Sequence, residues 1–316
     1  MVEITDEEAA LYDRQIRLWG VDAQRSLRAA NVFVKRIGPL GAEVCKNIVL
    51  SGVNSLTVLD TRTVEEKHVG TNFLLRTETG KSFAETAVPN LQILNPLVKV
   101  SHVTGELSDE NISQYTVVCM TDGTKEEYEE TNELCRKHGV TFLASNTWGM
   151  AGFMFQDCGE EYNYVAERPK ISSGKSQGGD KQDPKRRKLD PNDKEEDEEE
   201  SDYEKRTCQF TEFGKLAELS SLRFSSPVLL LAFGQLSGAE DLGEYCRREV
   251  KRIGGKPVPD DLLANLSGTL VPICAILGGI VSQEIIKIVS RKDDPIVNSF
   301  FYDGLSGAGI IENLMS

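Results

Sequence analysis

Between residues 31 and 60 the chain follows an order that few folds accommodate. An apolar strand, a tight turn, an apolar helix and a second apolar strand follow one another. Asn31-Val32-Phe33-Val34 reads as a buried strand, and Gly38-Pro39-Leu40-Gly41 reads as the turn. From Ala42 to Ser51 apolar residues recur at helical spacing, Val44 with Ile48 and Cys45 with Val49. Gly52-Val53-Asn54-Ser55 closes that helix, and Leu56-Thr57-Val58-Leu59-Asp60 is a second strand ending on a carboxylate. Strands joined through a helix run parallel, and the crossover is right-handed.

The alternation continues. Helices are expected over Lys81 to Leu94 and Lys125 to His138, and strands over Val98 to Val103, Tyr115 to Met120 and Val140 to Ala144. Such a pattern predicts an α/β fold with a doubly wound, mostly parallel, Rossmann-like sheet. Residues 168–206 then carry almost no large apolar side chains. They include the linker-like Ser172 to Gly179 and the like-charge block Glu195 to Glu200, so this insertion is expected to be disordered. It divides one domain into a part over 6–167 and a part over 207–316. In the second part helices are expected over Ser226 to Leu236, Asp241 to Ile253 and Pro272 to Ser290, and a closing strand pair over Asn298 to Asp303 and Gly309 to Glu312.

Composition narrows the function. The net charge is −14, unfavourable for holding nucleic acid through its phosphates. No apolar run is expected to reach the roughly 20 residues of a membrane span. Met1 to Asp6 has no basic-then-apolar leader pattern. A soluble, intracellular protein is expected. The seven cysteines include no C-x-x-C pair, which argues against a zinc clip, and their odd number fits a reducing compartment. Cys45, Cys119 and Cys274 sit in apolar patterns and read as buried structural thiols. Lys185-Arg186-Arg187-Lys188, after Pro184 and before Leu189-Asp190, is a nuclear-import candidate; a solvated charge run is the alternative.

The turn after the first strand bears on nucleotide binding. A dinucleotide loop needs glycines so that phosphate can approach backbone N–H groups at a helix start. Here Gly38 and Gly41 have the spacing of the last two glycines, but Arg36 takes the place of the first. Pro39 has no N–H to donate. Asp60 stands where a ribose-binding carboxylate belongs, and a plain strand-to-helix turn explains the same residues.

Thr5-Asp6-Glu7-Glu8 is a capping-box pattern opening the first helix, and Gly20 is its stop. At about 100° per residue, Tyr12, Ile16 and Trp19 form one apolar stripe, with Arg14 and Arg17 on the opposite side. Rigid outward guanidiniums can meet phosphates of another molecule, or they are ordinary solvated charge.

Tyr12 to Gly20, Leu40 to Asn47, Leu56 to Asp60, Asn95-Pro96 and Pro272 to Lys287 occur in one order. Together they resemble the ThiF/MoeB-type adenylation domain of enzymes that activate ubiquitin-like proteins (E1). The resemblance covers most of residues 6–155 and 208–312. Complete members of that family carry a G-x-G-G-x-G loop, and Arg36 and Pro39 stand at two of its glycines. Thr71 replaces an arginine two residues before Phe73-Leu74. Asp122 keeps the family's aspartate, but its asparagine neighbour is Gly123.

These departures imply a non-catalytic half that binds no cofactor of its own, with ATP and Mg held by a catalytic partner subunit. The shortness of the chain, its basic-then-acidic loop and the ending Phe300 to Gly304 favour SUMO as the modifier. The resemblance implies a heterodimer in which Arg14, assisted by Arg17, reaches the partner's ATP while the SUMO C-terminus is adenylated. A thioester on the partner's cysteine follows, and the SUMO-conjugating E2 is a further expected contact. No metal site, nucleic acid or membrane is expected, and the location is expected to be nuclear. A self-sufficient MoeB-type homodimer, a nicotinamide-dependent oxidoreductase and a pure scaffold are the alternatives.

Overall fold

The computed structural model describes residues 4–75, 79–167, 203–217, 227–253 and 256–314. The chain opens with α1 (Asp6–Leu11), α2 (Asp13–Trp19) and α3 (Val21–Ala29), then β1 (Asn31–Lys35), α4 (Pro39–Ser51) and β2 (Ser55–Leu59). Next come α5 (Glu66–Val69), α6 (Phe83–Gln92), β3 (Lys99–His102), β4 (Val117–Thr121) and α7 (Lys125–Lys137). β5 (Thr141–Trp148), β6 (Ala151–Asp157), β7 (Tyr162–Glu167) and β8 (Tyr203–Cys208) follow. The chain closes with α8 (Pro227–Leu236), α9 (Leu242–Ile253), α10 (Asp260–Ala264), α11 (Val271–Ser290), β9 (Ser299–Asp303) and β10 (Ala308–Glu312).

Eight strands form one sheet in the order β10-β9-β6-β5-β4-β1-β2-β3. β1 pairs in parallel with both β2 and β4, while β6, β9 and β10 close the sheet with antiparallel neighbours. The fold is the expected α/β Rossmann-like one, with a mostly parallel centre. Alternation along β1 builds both cores. Val32 and Val34 face the layer of α4 and α11, and Phe33 faces the layer of α7 and α8.

Three expectations need correction. The opening helix is broken at Tyr12, whose φ of −100° and ψ of 16° separate α1 from α2. Residues 203–206 belong to β8, which pairs with β7 from Tyr162↔Cys208 to Glu167↔Tyr203, so the insertion ends earlier than 206. By length and apolarity α11 is sufficient to cross a bilayer. In the fold its inner face packs on α4, so close that a Cβ on Gly278 would lie 2.6 Å from Glu43 Cβ. It also buries Glu284, whose carboxylate accepts from Ile296 N at 2.7 Å and from Gln156 Nε2 at 3.0 Å. The import candidate at 185–188 and the acidic block at 195–200 lie outside the described residues.

Candidate functional site

The strand order reverses between β1 and β4, and the crevice beyond such a switch point is where α/β sheets bind ligands. Arg36 leaves β1 there, and Asp122 leaves β4. Both adopt left-handed backbone, with φ of 68° and 54°, a conformation that glycine or asparagine reaches more easily than arginine. Gly41 is required for packing: a Cβ there would lie 2.4 Å from the Arg36 carbonyl oxygen.

The chain's own side chains occupy this crevice. A Cβ on Gly38 would lie 2.2 Å from Asp122 Oδ2, so the Asp122 carboxylate rests on the N-cap of α4. A carboxylate at a helix start takes the place that a phosphate uses. Burial pushes the Asp122 carboxyl above its ordinary range, opposed by Arg62 and Arg36. The Arg36 guanidinium donates to the Asp122 carbonyl and pairs with Glu127.

Asp60 accepts from Ile37 N at 2.7 Å, from Arg62 Nε at 2.9 Å and from Arg62 Nη2 at 2.6 Å. It is thereby tied to protein groups, and it is buried. The Arg62 guanidinium lies 4.8 Å from the centre of the Phe83 ring. Burial disfavours its charge, but the bond to Asp60 and the charges of Asp60, Asp122 and Glu127 together outweigh this and raise its pKa. Asn72 Nδ2 donates to the Ile37 carbonyl at 2.7 Å, fixing the loop from the other side. Thr71, in place of the family's arginine, is used locally, its hydroxyl donating to the His68 carbonyl at 3.3 Å. Gly123 N donates to Tyr128 Oη at 2.8 Å, and a Cβ at 123 would strike that ring. With Pro39 contributing no donor, these residues do not fit a triphosphate.

The sequence identified Arg36, Asp60 and Asp122 but not their partners. Arg62 carries no motif. Glu127 was legible only as the last residue of the Thr124-x-x-Glu127 capping box, which it forms.

The other end of α4 is built differently. Tyr12 is buried, and its ring packs on Gly52, which has a φ of 80° and where a Cβ would lie 2.5 Å from Tyr12 Cζ. Asn95 Nδ2 donates to Tyr12 Oη and to the Val49 carbonyl, each at 2.9 Å. Gln15 Nε2 donates to the Leu50 carbonyl at 3.1 Å. Trp19 Nε1 donates to Gln24 Oε1, and Gln24 Nε2 donates to the Ser51 carbonyl. Lys292 Nζ donates to the Trp19 carbonyl at 3.1 Å. Of the expected stripe, Tyr12 is buried and Ile16 and Trp19 are half-buried.

Arg14 and Arg17 are both exposed, as expected, but they differ. Arg17 Nε is held by Asp13 at 3.0 Å, one turn back. Arg14 makes no ion pair with any described residue. The 13 residues of α4 separate α2 from the Gly38 loop by about 20 Å, at about 1.5 Å per residue. Arg14 is therefore remote from its own chain's crevice.

The three cysteines read as structural are fully buried. Burial pushes the Cys119 thiol up to about 12 and Cys274 to about 11, and Cys45 is also raised. These are not the accessible, electropositive surroundings of a nucleophilic thiolate.

Residues 12–314 match the ThiF family. The protein named SUMO-activating enzyme subunit 1 of Danio rerio is 34% identical, over 99% of this chain and 97% of that relative. Those of Bos taurus and Homo sapiens are 33% and 32% identical, each over 98% of this chain and 96% of the relative. A solved structure titled "Crystal Structure of SeMet PaaA" aligns with a TM-score of 0.60, covering 100% of this chain and 76% of that one. Its identity of 14% makes this a likeness of fold alone.

Proposed function

The chain belongs to the ThiF family, alongside relatives named SUMO-activating enzyme subunit 1, and we propose that it is the non-catalytic half of a two-subunit SUMO-activating E1. Its partner subunit supplies the ATP and Mg site and the acceptor cysteine. The assembled enzyme adenylates the SUMO C-terminal carboxylate with release of pyrophosphate, then passes SUMO to the partner's cysteine as a thioester. The SUMO-conjugating E2 is a further contact of the assembly.

One observation carries this reading. The chain fills its own crevice with Asp122 and Arg36, yet leaves Arg14 with no ion pair among the described residues, on a helix anchored at the far end of α4. Arg14 serves a nucleotide that another chain holds. Its guanidinium, always charged and planar, stabilises charge on the partner's triphosphate as the carboxylate attacks the α-phosphate. Arg17, tied to Asp13, plays a smaller part.

Symmetry supports the trans placement. α11 packs along α4 at Gly278, and Lys292, just past its end, meets Trp19. Its outer face shows Pro272, Ala275 and Ile276 exposed and Gly279 and Ile280 half-buried, an apolar surface suited to a second subunit. Two such layers packed about a two-fold axis perpendicular to α4 bring the C-terminal end of one against the N-terminal end of the other. The helix α2 then lies beside the partner's nucleotide loop.

The test is reconstitution. This chain, the catalytic subunit, SUMO and ATP together form a thioester, while the catalytic subunit alone does not. Equal thioester yield without this chain would refute the reading. We also propose nuclear import through Lys185, Arg186, Arg187 and Lys188; changing all four to alanine is expected to shift the free chain to the cytoplasm.

A further inference from the structure

Around the Tyr12 anchor the fold leaves large apolar side chains in solvent. Leu11 is 58% exposed, Leu50 43%, Ile93 74%, Leu94 37% and Leu97 39%. They come from three separate segments, yet hydrogen bonds bring those segments together. Asn95 binds Tyr12 Oη and the Val49 carbonyl, so Leu94, Leu11 and Leu50 each adjoin a residue of one knot. Arg28 Nη1 reaches the Leu97 carbonyl at 3.4 Å while Arg28 Nη2 pairs with buried Glu8 of α1 at 2.7 Å, which places Leu97 at the same end. Scattered surface leucines need no explanation, but several gathered round one node mark an interaction surface.

We propose that Leu11, Leu50, Ile93, Leu94 and Leu97 form an apolar collar that docks on the catalytic partner subunit and holds Arg14 in place there. The inference rests on the two-subunit reading and extends it to a surface. Arg14 selects the occupant: it stands on α2 next to Gln15, which donates to the Leu50 carbonyl, so a subunit that meets Arg14 lies beside the collar. Area points the same way. A stable interface covers about 800 Å² per partner, more than five side chains supply. It therefore continues onto α2, where Leu18 is 74% exposed beside Arg14 and Arg17. Arginine is enriched at the energetic centre of an interface, and the apolar side chains around it supply contact area from which water is excluded.

The experiment pairs Ile93→Asp with Leu97→Asp in one chain and measures its dissociation constant for the catalytic subunit. A weakening of about tenfold or more is expected, with an unchanged melting curve for the free chain. Ile311→Asp, on edge strand β10 at the opposite side of the sheet, is expected to bind as wild type does. Hydrogen exchange provides a readout without substitutions, since residues 91–98 are expected to gain protection when the catalytic subunit is added to wild type. Wild-type affinity for the paired variant, an equal loss from Ile311→Asp, or no protection of 91–98 would overturn the collar. If the wild-type chain itself fails to bind the catalytic subunit, the two-subunit reading falls with it.

Discussion

An arginine stands at each end of α4, to opposite effect. At the N-terminal end, Asp60, Arg62, Arg36, Glu127 and Asp122 satisfy one another, and little is left for a ligand. At the C-terminal end, one buried tyrosine and three amides lock a short helix in place, and its Arg14 makes no ion pair with a described residue. On the function proposed above, a fold that ordinarily acts at the first end acts here from the second, and a pocket without activity of its own does not make an idle subunit. It identifies which end of the scaffold to test.

The largest expected effect breaks the comparison at Arg14. Arg14→Ala is expected to lower ATP–pyrophosphate exchange by the reconstituted enzyme by about 10³-fold, as for arginines that stabilise phosphoryl-transfer charge. Affinity between the subunits should hardly change. Arg17→Ala removes only an exposed pair with Asp13 and is expected to cost a few-fold at most, since such pairs contribute about 0–1 kcal/mol. Equal losses at both positions would erase the distinction drawn between them.

A smaller effect is expected where α2 is seated. Gly52→Ala drives a methyl into the Tyr12 ring at a residue with φ of 80°. It is expected to destabilise the chain by about 1–3 kcal/mol, the usual cost of overpacking, and to lower exchange by displacing α2. Gly80→Ala has a φ of 93° but nothing within 4 Å. It carries only the backbone term, about 1–2 kcal/mol, and should leave exchange intact. Thermal melts and exchange assays on the two variants separate backbone strain from loss of seating.

The smallest effect belongs to the plugged crevice. Burial raises the Asp122 carboxyl above its unfolded value. The stability tied to that carboxyl is thus fully present at pH below the unfolded value and is lost as pH rises through the folded one. Asp122→Asn, which keeps the shape and tolerates the left-handed backbone, is expected to melt about 1–2 °C higher than wild type at pH 7. That gap should close as pH falls toward 4. A gap that widened on acidification would reverse the sign assigned to this group.

The sheet was largely legible because β1, β2 and β4 are short apolar runs with turns at both ends. β6 was not, because Ala151 to Asp157 is buried at every position and gives no period to read. It enters through Gly149, whose φ of 48° a sequence does not display. The start of β8 reads as disordered because Tyr203-Glu204-Lys205-Arg206 is polar; its partner β7 lies across the long insertion, and a two-stranded ribbon needs few apolar residues. At the crevice, Arg36 and Pro39 announced a departure from a glycine loop. What replaced the ligand did not show, since Asp122 over Gly38 and Asp60 on the Ile37 N–H are contacts between residues far apart in sequence. The break at Tyr12 was hidden for a related reason. The tyrosine fits a helical stripe, and only its bonds to Asn95 and its place over Gly52 explain why the helix gives way there.

The indole of Trp19 hydrogen-bonds Gln24, which in turn grips the end of α4. The chain has only one other tryptophan, Trp148, stacked near Phe153 on a distant hairpin. Nature has thus supplied an optical gauge: emission from Trp19, isolated by replacing Trp148 with phenylalanine, reports directly on whether the arginine-bearing helix is clamped or adrift. Recruitment of the helix by another subunit can then be timed in a stopped-flow cell without attaching a dye.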